Sequence, residues 1–177
     1  MTDRLSATSC FLLDMDGTFY LGNRLLEGSL HFIEVLRKQG RDFLFLTNNS
    51  SRNRTQYAEK MTRLGLDIPE EKILTSGEAA VLYLQAKYPG AHVYVVGTPS
   101  LEQEFCNQGF ILDERNPSVC VLGFDITLTY AKLAKLCELI RAGLPYIATH
   151  PDINCPTETG LIPDIGAMIA FVKAATG

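Results

Sequence analysis

The sequence predicts an α/β fold in which parallel strands alternate with helices. Two short apolar segments, residues 10–13 and 42–46, each run directly into polar residues, as buried strands do where they end in a functional loop. Between them, residues 30–39 carry apolar side chains at helical spacing. Strands joined through a helix pair in parallel, so both polar strand ends should lie at one edge of one sheet. Open α/β sheets bind ligands at that edge.

Small residues mark the ends of the other predicted elements in this half of the chain. Gly40 would end the first helix, because glycine readily adopts the left-handed conformation that closes helices. Ser51 would cap a second helix that runs to about residue 64, where Gly65 closes it.

A second α/β unit is predicted from about Thr75 to the end of the chain. The strand pattern first gives way to a helical one, and a new alternation then begins. The predicted elements are a helix at residues 78–87, strands at 93–96 and 119–124, a helix at about 130–141, a strand at 146–149 and an apolar helix at 167–175.

Composition narrows the range of partners. The chain has 177 residues, 46% of them hydrophobic, and a formal net charge of −4. It therefore lacks a broad basic field, and we expect neither nucleic acid nor a membrane as a partner. No apolar run approaches the length that spans a bilayer.

The cysteines predict a reducing compartment. Their number is odd, they lie mostly in apolar segments, and no CxxC pair occurs. In a chain without a recognisable signal peptide, this pattern favours buried reduced thiols over a disulfide framework. We therefore expect a cytoplasmic protein. The cysteines are Cys10, Cys106, Cys120, Cys137 and Cys155.

Two carboxylates, Asp14 and Asp16, follow the first predicted strand one residue apart. Phosphoryl transfer can use such a pair, because one carboxylate can attack phosphorus and form an aspartyl-phosphate. The other can protonate the leaving oxygen and then take a proton from the attacking water. An anionic nucleophile is repelled by an anionic phosphate, so a bridging divalent cation is expected, and Mg²⁺ suits the oxygen ligands.

Phosphate donors are predicted at the same edge of the sheet. Gly17 would let backbone N–H groups approach a phosphate closely, and Thr47 would offer a hydroxyl from the neighbouring strand end. An EF-hand loop is excluded, because its glycine and glutamate positions would fall on Phe19 and Leu25. An ordinary acidic turn is the simpler alternative.

Three segments carry a family resemblance. FLLDMDGTFY resembles the first motif of haloacid-dehalogenase-like (HAD-like) phosphatases, and FLTNNSSR is similar to the second motif of their class IIA branch, which includes nitrophenylphosphatase-like and NagD-like enzymes. ATHPDINCPTETGLIPDIGAMIAFVKAATG resembles the cap of that branch. The resemblance covers essentially the whole chain. It implies a partial, Rossmann-like HAD core with a parallel sheet in residues 1–74 and an α/β class IIA cap domain in residues 75–177.

The resemblance also implies residue roles. Asp14 would be the nucleophile and a metal ligand, and Asp16 would be the general acid and base and would give the metal its backbone carbonyl. Thr47 and Asn48 would hold the transferring phosphate. The implied cofactor is Mg²⁺, bound through Asp14 and Asp16.

In the cap, His150 and Asp152 are implied as substrate-facing residues. A zinc site formed by these two residues and Cys155 is an alternative, but their spacing matches no common zinc motif. The resemblance further implies a homodimer through the cap.

Two motifs of the family are not found in this sequence. The family continues beyond its cap with a lysine motif and a second acidic motif, and neither follows Gly177. We therefore expect a chain truncated after the cap, with the C-terminal core segment absent and an apolar edge exposed. Lys173 lies within the predicted apolar helix and does not replace the missing lysine.

The predicted function is that of a Mg²⁺-dependent phosphomonoester hydrolase. It would act through an aspartyl-phosphate on a small phosphorylated metabolite, either a sugar phosphate or a nucleotide. The alternative is a catalytically incomplete fragment, a non-catalytic module that binds anions or self-associates.

Overall fold

A computed structural model describes residues 7–177. Its helices are α1 (Ser29–Lys38), α2 (Arg54–Arg63), α3 (Ser76–Lys87), α4 (Pro99–Asn107), α5 (Tyr130–Arg141) and α6 (Ile165–Thr176). Its strands are β1 (Cys10–Asp14), β2 (Tyr20–Leu21), β3 (Arg24–Leu25), β4 (Asp42–Thr47), β5 (Ile73–Thr75), β6 (His92–Val96), β7 (Ile111–Leu112), β8 (Val119–Leu122), β9 (Tyr146–Ala148), β10 (Asn154–Thr157) and β11 (Gly160–Pro163).

The chain forms two compact units, and it passes between them more than once. Among the described residues, unit 1 consists of residues 7–47, Arg54–Leu74 and Pro156–Gly160. Unit 2 consists of Asn48–Asn53, Thr75–Cys155 and Leu161–Gly177. The assignment of residues 1–74 and 75–177 as core and cap stays a prediction.

The sheet of unit 1 has the predicted parallel pairing. Within residues 7–177 it contains three strands in the order β1-β4-β5. Strands β1 and β4 are parallel, with Cys10 opposite Asp42 and Asp14 opposite Leu46. Asp14 and Thr47 therefore end neighbouring strands at the same edge, as the alternation of strands and helices predicted.

Aromatic packing forms the core of unit 1. Phe43 and Phe45 lie on the buried face of β4, and Phe45 makes edge-to-face contacts with both Phe43 and Phe19. The buried Lys60 places its ammonium group 3.5 Å from the centre of the Tyr20 ring. Leu12, by contrast, is 66% exposed on β1, so one side of this strand is not covered within residues 7–177.

The sheet of unit 2 is parallel throughout, in the order β7-β6-β8-β9. Every residue of β8 is buried, as expected for a parallel strand covered on both faces. The chain runs from β6 to β7 on one side and then to β8 on the other. The carboxyl ends of β6 and β8 therefore form the switch point at which open α/β sheets bind ligands.

The start of α2 differs from the prediction. The helix begins at Arg54, because Ser51 does not cap it: the Ser51 backbone N–H and hydroxyl donate to Asn49 Oδ1 at 2.9 and 2.7 Å. The asparagine thus forms a local turn that competes with helix initiation. Helix α4 was not predicted, although Thr98 caps it and Pro99 stands in its first turn.

The cysteines are all free, but their burial is uneven. Cys120 and Cys137 are buried, whereas Cys10 and Cys106 are exposed, so the predicted burial is wrong for those two. Both exposed residues lie on the outward side of amphipathic elements, β1 and α4. Burial raises the pKa of the Cys120 thiol to about 11. Among residues 7–177, none of the helices has the length and apolar character needed to cross a membrane.

Candidate active site

The acidic loop begins with the last residue of β1. Asp14 is exposed, and its Oδ2 atom accepts a hydrogen bond from the Thr18 hydroxyl at 2.7 Å. The next residue, Met15, is completely buried and anchors the loop in the core of unit 1. The buried Met15 side chain thus holds the loop in place, while the Asp14 carboxylate is exposed to solvent.

A tight turn then returns the chain toward β2. The Met15 carbonyl accepts from the backbone N–H groups of Thr18, Phe19 and Tyr20 at 3.3, 2.9 and 3.2 Å. Gly17 has a φ of +81° and donates its own N–H to the Tyr20 carbonyl at 2.7 Å. A residue with a side chain would be strained there, so the loop requires glycine.

Asp16 lies inside this turn and is half-buried. Its Oδ2 atom accepts from the Tyr20 hydroxyl at 3.1 Å. Tyr20 is itself completely buried and therefore holds the second carboxylate in a defined orientation. No local pattern indicated this partner, since the tyrosine could equally have been a core residue alone.

The remaining predicted site residues divide between the two units. Thr47 ends β4 in unit 1 and is buried. Asn48, His150 and Asp152 belong to unit 2. There the Asn48 side-chain amide donates to Asp152 Oδ2, and the Asp152 backbone N–H donates to His150 Nδ1 at 3.3 Å.

His150 is buried rather than open to solvent. Its Nε2 atom lies 3.2 Å from Asp164 Oδ1, without the geometry of a hydrogen bond. Asp164 also caps α6 by accepting from the Ile165 N–H at 2.7 Å. The imidazole is therefore enclosed between the carboxylates of Asp164 and Asp152, the latter 3.6 Å from Nδ1.

The two carboxylates of the acidic loop fit Mg²⁺ better than a structural metal. Mg²⁺ prefers oxygen ligands and is bound through one or two carboxylates together with water and substrate phosphate. Asp14 is exposed enough to offer such an oxygen. Among residues 7–177, no group of three or more histidine, cysteine, aspartate or glutamate side chains could hold a metal ion. Asp14 and Asp16 thus fit a cation that would be bound by protein carboxylates and substrate phosphate together.

A further segment beside the acidic loop was missed by the sequence analysis. Pro156–Gly160, here called the hairpin tip, joins β10 to β11 and belongs to unit 1. A Cβ atom on Gly17 would lie 3.6 Å from the Pro156 ring, and Glu158 Oε1 accepts from the Asn23 N–H at 2.8 Å. Asn23 and Glu158 are 135 positions apart, so no local pattern could have joined them.

The contact between Glu158 and the β2–β3 turn predicts a specific stability effect. Gly22 has a φ of +58°, and a Cβ atom there would overlap the Glu158 side chain. We expect Gly22→Ala to lower the free energy of unfolding by about 2 kcal/mol, half from backbone strain and half from the lost hydrogen bond. Denaturant unfolding would measure the change.

Gly40→Ala is the matched control for Gly22→Ala. Gly40 has a similar φ of +64° in the same unit, and a Cβ atom there meets nothing within 4 Å. The cost of Gly22→Ala should exceed that of Gly40→Ala by about 1 kcal/mol, and the excess should vanish in a Glu158→Ala background. An excess that persists without Glu158 would contradict the assigned contact.

Together, the parallel sheet and the carboxylate loop at its edge define a class of α/β proteins with a strand-end acidic site. Residues 11–111 match the family of haloacid dehalogenase-like hydrolases, and the chain belongs to this family. The predicted α/β HAD fold is confirmed.

The more specific similarities are to phosphatases of the class IIA branch. A Staphylococcus aureus acid sugar phosphatase is 34% identical over 168 residues, which are 94% of this chain. The chain spans 65% of the length of that curated relative.

Two solved structures are similar over nearly the whole chain. A 4-nitrophenylphosphatase from Thermotoga maritima is 45% identical with a TM-score of 0.95, over 99% of this chain and 67% of its own. A glycerol phosphate phosphatase from Mycobacterium tuberculosis, in complex with magnesium, is 34% identical with a TM-score of 0.87, over 96% of this chain and 52% of its own. The predicted resemblance to nitrophenylphosphatase-like HAD proteins is confirmed.

Proposed function

We propose that the protein is a Mg²⁺-dependent phosphomonoester hydrolase that acts through an aspartyl-phosphate at Asp14. Its substrate is a small phosphorylated metabolite, a sugar phosphate or a nucleotide. The observation that carries the proposal is the exposed Asp14 carboxylate, oriented by Thr18 at a strand end beside the end of β4. The phosphatase names of the similar proteins support the same reaction class.

Asp14 supplies the nucleophile. One carboxylate oxygen attacks phosphorus while the bond between phosphorus and the leaving oxygen breaks, which gives a phospho-aspartate. The Thr18 hydroxyl donates to Asp14 Oδ2 at 2.7 Å, so Asp14 Oδ1 is the oxygen that attacks phosphorus. The hydrogen bond therefore selects an orientation without blocking the reaction.

Asp16 moves the proton in both halves of the reaction. In the first half its carboxylic acid protonates the leaving alkoxide, and in the second its carboxylate takes a proton from the attacking water. Attack of that water on phosphorus releases inorganic phosphate and restores the Asp14 carboxylate. The hydrogen bond from Tyr20 keeps the Asp16 side chain in place for both transfers.

The proposed phosphate site consists of Gly17, Thr47 and Asn48. Thr47 offers a hydroxyl at the end of β4. The Gly17 N–H is already donated to Tyr20, so Gly17 contributes through its left-handed backbone and the space that its missing side chain leaves. Asn48 contributes its backbone N–H.

Mg²⁺ would be held by Asp14 and Asp16, and it supplies the charge neutralisation that lets an anionic carboxylate approach a phosphate. The magnesium complex of the related glycerol phosphate phosphatase supports this choice of ion.

We further propose a reducing, cytoplasmic setting for the five free thiols.

Residues 75–177 act as the cap in this proposal, with Asp152 and His150 near the leaving group of the substrate.

A homodimer through the cap is proposed as well, because α6 leaves Phe171 43% exposed. Light scattering of the purified protein would measure its mass, and a monomer at all concentrations would contradict the dimer.

A non-catalytic module that binds anions or self-associates is the second candidate. It is favoured by Leu12, a large apolar side chain exposed on an edge strand, because such strands promote association. In that case the protein would bind anions weakly and no turnover would occur.

Hydrolysis of p-nitrophenyl phosphate separates the two candidates. We expect release of p-nitrophenolate that requires Mg²⁺ and is lost with a chelator and regained when Mg²⁺ is added in excess. A folded sample without turnover, or turnover that does not respond to the chelator, would contradict the proposed enzyme. Sugar phosphates and nucleotides would then be compared by phosphate release.

A further inference from the structure

The segment that follows Thr47, Asn48–Asn53, is built into unit 2 although both neighbouring segments belong to unit 1. We call it the crossing segment. Its first residue is also the residue that the family resemblance implies as a phosphate ligand. The contacts that hold this segment therefore decide how the Asn48 backbone is positioned.

Ser50 is the most buried point of the crossing segment, with 1% of its surface exposed. Its hydroxyl oxygen accepts from the Phe124 backbone N–H at 2.8 Å and lies 3.1 Å from the Thr149 hydroxyl. Phe124 follows β8 and Thr149 follows β9. One serine thus contacts the carboxyl ends of two neighbouring strands.

The backbone carbonyls of the crossing segment are held in the same way. The Thr98 hydroxyl, just after β6, donates to the Ser51 carbonyl at 2.8 Å. The Ser76 hydroxyl, at the start of α3, donates to the Asn48 carbonyl at 2.5 Å. The Ser51 carbonyl is in a buried hydrogen bond and the Asn48 carbonyl in an exposed one, and together the two donors hold the backbone on both sides of Ser50.

The crossing segment occupies the position at which open α/β sheets bind ligands. Its contacts at Thr98 and Phe124 lie beyond the carboxyl ends of β6 and β8, where the switch point of the unit 2 sheet is located. Gly123 leaves room for it, because a Cβ atom there would come within 3.2 Å of Ser50 Oγ and would overlap Leu101. Unit 2 therefore binds a piece of its own chain at this edge.

The Asn48 side chain is committed within unit 2. Its amide donates to Asp152 Oδ2, and the Asp152 N–H is in turn held by the buried His150. A phosphate dianion at this amide would lie beside the Asp152 carboxylate and be repelled by it. The amide is thus poorly suited to bind phosphate while this pair is formed.

We infer that Asn48 is a positioning residue: its side chain binds Asp152 and thereby fixes the Asn48 backbone N–H for phosphate, and the side-chain amide is not itself a phosphate ligand. This inference rests on the proposed function for the location of the phosphate. Its consequence is a coupling: the Asn48 backbone N–H binds phosphate well only when the pair of Asn48 and Asp152 is intact.

Exchanging the two side chains tests the inference. Asn48→Asp alone places two carboxylates together and should weaken binding of inorganic phosphate, in the presence of Mg²⁺, about tenfold. Asn48→Asp combined with Asp152→Asn restores one amide and one carboxylate in reversed order. We expect the double variant to recover phosphate affinity to within about threefold of the parent.

Calorimetry with inorganic phosphate and denaturant unfolding are measured on four proteins: the parent, Asn48→Asp, Asp152→Asn and the double variant. Asn107→Asp is the matched control, since this exposed residue already accepts from Gln103 at 2.8 Å and can do so as aspartate. It adds the same charge to unit 2 and should leave phosphate affinity unchanged.

The outcomes separate the inference from the proposed function. If the double variant remains as weak as Asn48→Asp in phosphate binding, the Asn48 side chain contacts phosphate directly and the inference is overturned. If unfolding shows no coupling between positions 48 and 152, the pair does not exist and the inference fails as well. If the coupling is present but the parent protein does not bind phosphate at all, the proposed function is overturned together with the role assigned to the pair.

Discussion

Asp14→Asn should abolish phosphate hydrolysis, with turnover of p-nitrophenyl phosphate reduced by at least about 10³-fold. The amide cannot attack phosphorus as a carboxylate oxygen does, so no phospho-aspartate can form. The hydrogen bond from Thr18 can still reach the retained side-chain oxygen, which preserves the loop. We expect the free energy of unfolding to change by less than about 0.5 kcal/mol, as for most surface substitutions.

Asp67→Asn is a matched control, because Asp67 is an exposed carboxylate of unit 1 outside the acidic loop. It should leave turnover within about twofold of the parent, as expected for an exposed position away from the chemistry. Turnover retained by Asp14→Asn would refute the assigned nucleophile, provided that unfolding confirms an intact protein.

Asp16→Asn distinguishes the two carboxylates further. p-Nitrophenolate is a good leaving group and needs little protonation, so the first half of the reaction should survive. The second half requires a base for the attacking water and should become slow. A burst of about one equivalent of p-nitrophenolate per protein is therefore expected from Asp16→Asn, and none from Asp14→Asn.

Lys132→Met should produce the largest loss of stability, about 3–5 kcal/mol in the free energy of unfolding. The Lys132 ammonium lies 2.6 Å from Asp125 Oδ2 and 2.8 Å from the Gly97 carbonyl. The Asp125 side chain is completely buried, whereas that of Lys132 is 26% exposed. Removing the lysine leaves a buried carboxylate that only the neutral donors of Thr127 still satisfy.

Lys135→Met is the control for this substitution. Lys135 lies on the same helix and pairs with Glu138 at 2.8 Å, but that glutamate is largely exposed. The loss should be below about 1 kcal/mol, because exposed ion pairs contribute little.

Asp125→Asn in the Lys132→Met background should restore part of the stability, since no unpaired charge then remains buried. If Lys132→Met alone lost no more stability than Lys135→Met, the assigned role of Lys132 at the edge of the unit 2 sheet would be contradicted.

Local pattern was sufficient for the elements that carry the proposed chemistry. The strand of residues 10–13 and the strand of residues 42–46 are found as β1 and β4, paired in parallel as predicted. Long helices with clear ends, such as α1 and α5, were also found close to their predicted bounds. Each of these elements has enough residues for apolar periodicity to be visible.

Short elements were missed for the opposite reason. Strands β2, β3 and β7 have two residues each, and β5 has three. No alternation can be detected over such lengths. Strands β2 and β3 are defined by pairing with each other across a short turn, and β5 and β7 by pairing with more distant strands. Helix α4 could have been found from the Thr98-Pro99 sequence, since a capping residue followed by proline is typical of a helix start.

By itself, the sequence determined the parallel α/β fold, the acidic loop at Asp14 and Asp16, and the family to which the chain belongs. These features depend on residues close together in the chain, so composition and spacing reveal them. Only the tertiary structure decided that Asn48 pairs with Asp152, that Glu158 holds the turn at Asn23, and that Ser50 fills the switch point of the second sheet. Those contacts join residues 74 to 135 positions apart, and chain folding alone brings them together.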